Sequence, residues 1–237
     1  MSANLEWVGH ACFRLWRTQG PVLVTDPFTP SEIGLPDVPI NGDVVIASSL
    51  SDPAHSNVAS VRGARATINA LDVANDGTFT FDGAPIVSVP TSESALHPEG
   101  PKDNAMYAFQ VGGLWFLHMG DAGEALGPDL LAPFAGHCDV LLALVGGGLT
   151  IALDDLDNVI EFLRPNWIVP MHYALPGMSI ELLPVDAFLA HRSRDPVLLA
   201  KASTVSFPLE SFSLDAPVIV VLEASAVHEV ENSEHQK

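Results

Sequence analysis

The stretch from residue 128 to residue 169 constrains the fold of this 237-residue chain most strongly. Within it, helix-like patterns alternate with short, continuously apolar runs that are typical of buried strands. The helices are predicted over residues 128–135 and 153–163, and the strands over 140–144 and 167–169. Asp154 and Asp155 complement the dipole at the start of the second helix, and Pro165 ends that helix. This alternation predicts an α/β fold.

The rest of the chain contains short β-like runs bounded by turn residues. Before residue 128, strands are predicted over residues 5–8, 12–16, 21–25, 44–47, 79–81, 86–90, 106–111 and 114–118, and a helix over 58–68. Gly112 and Gly113 form a two-residue turn suited to positive φ, which predicts a hairpin. After residue 169, a helix is predicted over 185–191, with strands over 204–207 and 218–222. Because no linker divides the chain, we expect one domain over residues 1–237, with a frayed tail over 228–237.

The charge of the chain limits its partners. The 29 acidic residues outnumber the 10 basic ones and give a net charge of −19, so nucleic acid is not an expected partner. No window reaches the roughly 18–20 apolar residues that a membrane-spanning helix needs, and no signal peptide is visible. We therefore expect a cytoplasmic protein without a membrane partner, and a homo-oligomer remains open. Cys12 and Cys138 lie in apolar segments and are expected to be buried, reduced thiols.

Polar side chains follow several of the apolar runs. They are Asp52, His55, Glu93, Asp121 and His172. If the strand ends converge, these imidazoles and carboxylates could hold a divalent metal ion. Without a cation, three neighbouring carboxylates would repel one another, and at least one would have to take up a proton. The alternative is that Asp52 only caps a turn and that Glu93 is an ordinary loop carboxylate.

Five motifs, in this order, give the chain a resemblance to a known family. They are Gly-His-Ala-Cys-Phe at 9–13, Val-Thr-Asp-Pro-Phe at 24–28, His-Met-Gly-Asp at 118–121, the segment 139–147 and Pro-Met-His-Tyr at 170–173. The chain resembles the metallo-β-lactamase-fold hydrolases, and within them the branch similar to ascorbate-6-phosphate lactonases. This resemblance implies a four-layer αββα sandwich with a metal site at one edge of its two sheets.

The resemblance also implies which positions correspond to the ligands of the family. Its His-x-His-x-Asp-His run aligns with residues 50–55, so that Leu50, Asp52 and Ala54 stand at three ligand positions and only His55 is retained. Glu93 falls near the next histidine of the family. Asp121 matches the bridging aspartate and His172 the last histidine. The run is therefore degenerate.

The substitutions fall mainly on one of the two metal positions of the family. That position keeps Asp121 but has oxygen donors, Asp52 and Glu93, in place of histidines. The other position keeps His55, Asp121 and His172, which is a competent ligand set for Zn(II), Mn(II) or Fe(II). One ion is therefore expected rather than two.

The expected function is hydrolysis of a small-molecule ester, lactone, amide or phosphoester by a metal-bound hydroxide. Asp52 or Glu93 would act as the general base beside the bridging Asp121. The loops over residues 29–42, 94–103 and 174–179 are expected to select the substrate. The alternative is an inactive binding or assembly module that keeps the fold but has lost catalysis.

Four further residues in or near these motifs are also candidates for a role at the site. His10 is expected to be a hydrogen-bonded core histidine or a donor beneath the site rather than a ligand, and His118 to support a ligand. Asp26 either anchors a ligating histidine or closes a strand-end turn. His97 is expected to be solvated, with a role as a substitute ligand as the alternative.

Overall fold

The chain forms a layered α/β structure with two main sheets. The structure is a computed structural model that describes residues 2–76, 79–93, 103–148, 150–209 and 216–227. In the described part, the strands are β1 (Ala3–Gly9), β2 (Cys12–Trp16), β3 (Leu23–Thr25), β4 (Val44–Ala47), β5 (Ala66–Asn69), β6 (Thr80–Phe81), β7 (Ala84–Pro85), β8 (Val87–Thr91), β9 (Asn104–Val111), β10 (Leu114–His118), β11 (Val140–Leu144), β12 (Trp167–Met171), β13 (Val197–Leu199), β14 (Thr204–Phe207) and β15 (Val218–Val221). The helices are α1 (Pro30–Ile33), α2 (Ala70–Asp76), α3 (Pro128–Leu131), α4 (Leu153–Leu163) and α5 (Val185–His191).

Both sheets are mixed. The first has the strand order β14-β1-β2-β3-β4-β5, and the second has the order β13-β15-β12-β11-β10-β9-β8. Strands β3, β4 and β5 are parallel to one another, as are β10, β11 and β12. The carboxyl ends of parallel strands open at the same edge of a sheet, so the loops that follow β10 and β12 lie on one edge.

Side chains of the first sheet alternate between two apolar clusters, as the two-residue period of a strand requires. Trp7 and Phe13 share a cluster with Phe116 of the second sheet, so this cluster is the core between the sheets. Val8 and Cys12, one position away in each strand, belong to a separate cluster. The first sheet is therefore buried on both faces.

Helices and loops cover the outer faces. Helix α4 buries Leu156, Val159, Ile160 and Leu163, which are spaced to form one helical face. Ile33 at the end of α1 lies in the second cluster with Val8 and Cys12. The predicted α/β fold, a four-layer αββα sandwich, is confirmed by this arrangement.

The helix predicted over residues 58–68 is wrong. Val58–Ser60 form a single 3-10 turn, and Ala66–Asn69 form β5. Gly63, with a φ of +85°, interrupts any helical path. The parallel pairing of β5 with β4 outweighs the apolar spacing that suggested a helix.

Other local predictions agree with the structure more closely. The hairpin of β9 and β10 turns through Gly112 and Gly113, whose φ values are +61° and +85°. Helices α4 and α5 have the predicted bounds, and the helix predicted over 128–135 consists of α3 and a 3-10 turn over Ala132–Phe134. The short helices α1 and α2 and the strands β7 and β13 were not predicted. Cys12 and Cys138 are free and buried. Residues 228–237 lie outside the described residues.

Among the described residues, no helix is both long enough and apolar enough to span a lipid bilayer.

Candidate metal centre

A cavity of about 320 Å³ contains every predicted site residue. It is lined by His10, Glu32, Ile33, Asp52, Pro53, Ala54, His55, Glu93, Asp121, Thr150, His172 and Ile180. Of these, Glu93, Asp121 and His172 follow the carboxyl ends of strands in the second sheet, and Asp52 and His55 follow β4 in the first. The five predicted side chains, which follow different strands in the sequence, therefore lie together at one edge of the sheets.

His55 is oriented by Asp26, which follows β3. His55 Nδ1 lies 3.0 Å from Asp26 Oδ2, and both residues are buried. The Asp26 carboxylate also accepts hydrogen bonds from the amide and hydroxyl of Ser48 (2.8 and 2.6 Å) and from the hydroxyl of Tyr107 (2.9 Å). With Nδ1 held by this carboxylate, His55 Nε2 is the nitrogen that can bind a metal. Of the two roles considered for Asp26, the structure shows the anchor.

Asp121 is positioned by a close backbone approach. Its amide donates to Asn104 Oδ1 (2.9 Å), and Asn104 Nδ2 in turn donates to Thr91 Oγ1 (2.7 Å). The preceding Gly120 has a φ of +61°, and a Cβ there would lie 2.4 Å from Asn104 Oδ1. Only glycine permits this turn, so the Gly-Asp pair places the carboxylate in the cavity.

His172 is held by its backbone. Its amide donates to the carbonyl of His10 (3.1 Å), and the indole N–H of Trp7 donates to the same carbonyl (3.0 Å). Gly146 packs against the other side, where an added Cβ would lie 1.9 Å from the His172 carbonyl oxygen. These contacts fix His172 relative to His10.

The potential ligand atoms form two compact groups that share His55. One group is His10, His55 and His172, and the other is Asp52, His55 and Asp121; in each group the ligand atoms lie within 4.8 Å of one another. His172 Nε2 is 3.3 Å from Asp121 Oδ1, and His55 Nε2 is 3.6 Å from Asp121 Oδ2. Asp121 thus lies between two of the histidines, as a bridging ligand would.

The carboxylates are close enough to perturb one another. Burial, followed by the charges of Asp121 and Asp52, raises the pKa of Glu93 to about 8. Asp52 Oδ2 lies 3.7 Å from His55 Nε2, while its Oδ1 accepts a hydrogen bond from the amide of Ala54 (2.9 Å). Asp52 therefore caps the turn and also faces the site, which combines the two roles considered for it.

His10 differs from its predicted role. Its ring is fully buried, and neither Nδ1 nor Nε2 has a hydrogen-bond partner among the described residues. The ring centroid lies 4.0 Å from that of His172 and 4.8 Å from that of His55. The expectation of a hydrogen-bonded core histidine or donor is therefore wrong. The sequence does not distinguish a hydrogen-bonded histidine ring from an unpaired one here, because a Gly-His pair at a strand end is compatible with both.

His118 is a structural histidine. Its Nε2 donates to the carbonyl of Ala11 (2.9 Å), and its Nδ1 accepts from the amide of Gly120 (2.9 Å). Burial lowers its pKa, which agrees with a neutral ring that donates at one nitrogen and accepts at the other. His118 thereby links the chain next to His10 with the chain next to Asp121.

The loop residues fall into three groups. Glu32 and Ile33, from the loop predicted to select the substrate, line the cavity, as do Thr150 and Ile180, which the sequence did not indicate. Leu50 is 45% exposed and does not line it. His97 and the rest of segment 94–102 lie outside the described residues.

Backbone strain is concentrated at this site. His10, Asp26 and His172 have φ values of +50°, +36° and +55°, in the left-handed region that residues other than glycine seldom adopt. Each such residue costs on the order of 1–3 kcal/mol. His10 and His172 line the cavity and Asp26 holds His55, so the scaffold keeps three residues of the site in place against a local preference.

Gly146→Ala should destabilise the protein by about 2–3 kcal/mol, because the added methyl group meets a backbone oxygen that has little room to move. The free energy of unfolding from urea titration measures this loss. Gly127→Ala is the matched control, since a Cβ there meets nothing within 4 Å, and it should cost less than about 1 kcal/mol. Equal effects of the two substitutions would contradict the close packing of Gly146 on His172.

Glu93→Gln should stabilise the metal-free protein far more at pH 8.5 than at pH 4.5. The folded-state pKa of Glu93 is raised from its ordinary 4.5 to about 8, so ionisation costs stability as the pH rises through that window. The residue is buried but faces a cavity, and we expect a gain of about 1–2 kcal/mol, or roughly 2–8 °C in melting temperature. Melting curves in EDTA measure it, with the exposed Glu161→Gln as control. A pH-independent gain would contradict the charge repulsion.

The fold and the site together define a metallo-β-lactamase-fold protein with a candidate metal centre at the sheet edge. Residues 4–172 match the family described as "Beta-lactamase superfamily domain". A protein from Thermotoga maritima, described as a candidate zinc-dependent hydrolase of the metallo-β-lactamase superfamily, has a solved structure with a TM-score of 0.68 and 30% identity. That similarity covers 93% of this chain and 100% of the other. The chain belongs to the metallo-β-lactamase superfamily.

Relatives known from sequence carry the description "UPF0173 metal-dependent hydrolase". The protein from Carboxydothermus hydrogenoformans is 26% identical over 72% of this chain and 84% of its own length. The protein from Thermococcus onnurineus is 32% identical over 42% of this chain, and the match spans only 45% of that relative.

Proposed function

We propose that this protein is a metal-dependent hydrolase of small, uncharged substrates such as esters, lactones or amides. The observation that carries the proposal is the cavity itself, in which Asp52, Glu93 and Asp121 meet His55 and His172. Relatives described as metal-dependent hydrolases support the same reaction class.

The side chains present fit a divalent cation. His55 Nε2 is buried, has no hydrogen-bond partner in the described part of the chain, and lies 3.6–3.7 Å from two carboxylates. Burial lowers the pKa of His172, so its ring is neutral and able to act as a ligand. A cation would also offset the repulsion that raises the pKa of Glu93. His55, Asp121 and His172 are the residues that would hold it.

When bound, a divalent ion supplies a Lewis acid that polarises the substrate and lowers the pKa of water. The chain supplies the positioning and the proton transfer. Asp26 fixes the ring of His55, and the Gly120 turn fixes Asp121. Asp52 and Glu93 line the cavity beside the ligands, where a carboxylate oxygen can accept the proton of the attacking water and return it to the leaving group.

The charge of the cavity favours an uncharged substrate. Its described lining contains four carboxyl groups, from Glu32, Asp52, Glu93 and Asp121, and neither lysine nor arginine. One divalent cation would not neutralise these carboxyl groups when they are ionised. The cavity would then keep a negative charge and repel a phosphorylated substrate. Ile33 and Ile180 provide apolar surface for the body of the substrate.

The test combines metal analysis with a substrate panel. Protein purified without chelator should contain a transition metal and should hydrolyse uncharged lactones and esters faster than phosphomonoesters and phosphodiesters. Asp121→Asn should lose the metal and at least about 100-fold in kcat/KM, whereas Glu161→Gln should keep both. Absence of metal from the unsubstituted protein would contradict the proposal and favour a binding module.

A further inference from the structure

The rings of His10, His55 and His172 are buried side by side, and each has at least one nitrogen without a hydrogen-bond partner among the described residues. Among the described residues, His10 Nδ1 and Nε2, His55 Nε2 and His172 Nδ1 have no hydrogen-bond partner. A buried polar atom left unpaired costs about 1–3 kcal/mol. Several such atoms in one cluster therefore indicate a missing common partner.

The arrangement of the cluster shows what kind of partner is missing. One ligand nitrogen from each of His10, His55 and His172 lies within 4.8 Å of the other two. A neutral imidazole carries one N–H and one nitrogen lone pair. Carboxylates and carbonyls can satisfy the N–H groups, but a lone pair needs a donor or a cation. Ring nitrogens from three histidines that lie this close together can share one cation.

We propose that His10 is a third histidine ligand, so that His10, His55 and His172 hold one metal ion together. The inference rests on the metal centre of the proposed function and adds a ligand to it. The ligand atoms of these three residues lie within 4.8 Å of one another, and all three line the cavity. A set of three ligand atoms this close together is compact enough to share one ion.

The backbone of His10 is held as a ligand position requires. Its carbonyl accepts hydrogen bonds from the indole of Trp7 (3.0 Å) and the amide of His172 (3.1 Å). The residue lies in the tight turn between β1 and β2 with a φ of +50°. These constraints hold the ring next to His172, with a centroid separation of 4.0 Å.

A three-histidine site would explain how the chain tolerates the altered run. Leu50 and Asp52 remove nitrogen from that run, and His10 provides nitrogen from the β1–β2 turn. Imidazole ligands suit Zn(II), Fe(II) and Co(II), whereas carboxylates and water suit Mg(II) and Mn(II). We therefore expect a preference for zinc or iron over manganese and magnesium.

Cobalt substitution counts the histidines directly. In Co(II)-loaded protein, each ligating imidazole with a retained N–H gives one paramagnetically shifted, exchangeable proton resonance. We expect three such signals in the unsubstituted protein, two in His10→Gln, and three in the surface control His191→Gln. Two signals in the unsubstituted protein, unchanged in His10→Gln, would overturn the His10 assignment but leave the proposed function standing. Failure of the unsubstituted protein to bind Co(II) would contradict both the His10 assignment and the proposed metal-dependent function.

A second variant keeps the test independent of a folding defect. His10→Gly suits the left-handed backbone and leaves a space that opens to the cavity. Zinc affinity, measured by competition with a chromogenic chelator, should fall by at least about 100-fold, more than loss of a hydrogen-bond partner to a ligand costs. Added imidazole should restore most of it. Unchanged zinc affinity, or a loss that imidazole does not restore, would contradict ligation by His10.

Discussion

Chelation with EDTA will lower the melting temperature of the metal-loaded protein by roughly 8–16 °C. A ligand that binds only the folded state at about 1,000 times its Kd stabilises by about 4 kcal/mol. For a chain of this size, each kcal/mol shifts the melting temperature by about 2–4 °C. The shift is large because removal of the ion restores both the repulsion among the carboxylates and the unpaired histidine nitrogens. Differential scanning calorimetry with and without EDTA measures it.

The control separates metal loss from other effects of the chelator. Asp121→Asn removes the carboxylate that lies 3.3 Å from His172 Nε2 and 3.6 Å from His55 Nε2. Its melting temperature should therefore change little on addition of EDTA, and added zinc should restore the full shift only in the unsubstituted protein. Superimposable melting curves for the unsubstituted protein would instead identify a binding module that does not depend on metal.

Asp26→Asn will reduce both metal affinity and stability, although Asp26 is not a proposed ligand. The carboxylate accepts four hydrogen bonds, from the Ser48 amide and hydroxyl, the Tyr107 hydroxyl and His55 Nδ1. In the variant, the NH₂ group of the asparagine would replace one carboxylate oxygen and would face N–H or O–H groups that also donate. We expect a 10–100-fold loss of zinc affinity, as is typical for a partner that orients a ligand, and about 2–3 kcal/mol of lost stability.

Tyr107→Phe is the matched control for this substitution. It removes one donor to the same carboxylate but leaves the bond to His55 intact. We expect a loss of about 1 kcal/mol in the free energy of unfolding and little change in zinc affinity. If both variants bind zinc equally well, the orientation of His55 does not depend on Asp26.

The sequence predicted the second sheet and the five gathered side chains because the relevant signals are local. Continuous apolar runs identify β11 and β12 as buried strands, and Pro165 ends α4. The site residues follow strand ends, and parallel strands bring such ends to one edge. These features require no knowledge of distant contacts.

The errors arose where distant contacts decide the structure. The segment containing β5 has an apolar spacing compatible with a helix, but its pairing with β4 makes it a strand. The buried ring of His10 has no hydrogen-bond partner among the residues that the structure describes, and this depends on how the turn between β1 and β2 packs against His172. The local sequence around β5 and His10 therefore does not predict either feature.

The left-handed backbone at His10 has a consequence for protein engineering. In the metal-free protein, glycine at this position relieves the strain without breaking a hydrogen bond of the ring among the described residues, so selection for thermal stability alone should favour it. At Asp26 the same change would remove four hydrogen bonds, and no such gain is expected there. With His10 as the proposed ligand, stability and metal content should trade off at this position, and libraries screened only for heat resistance should accumulate variants that bind metal weakly.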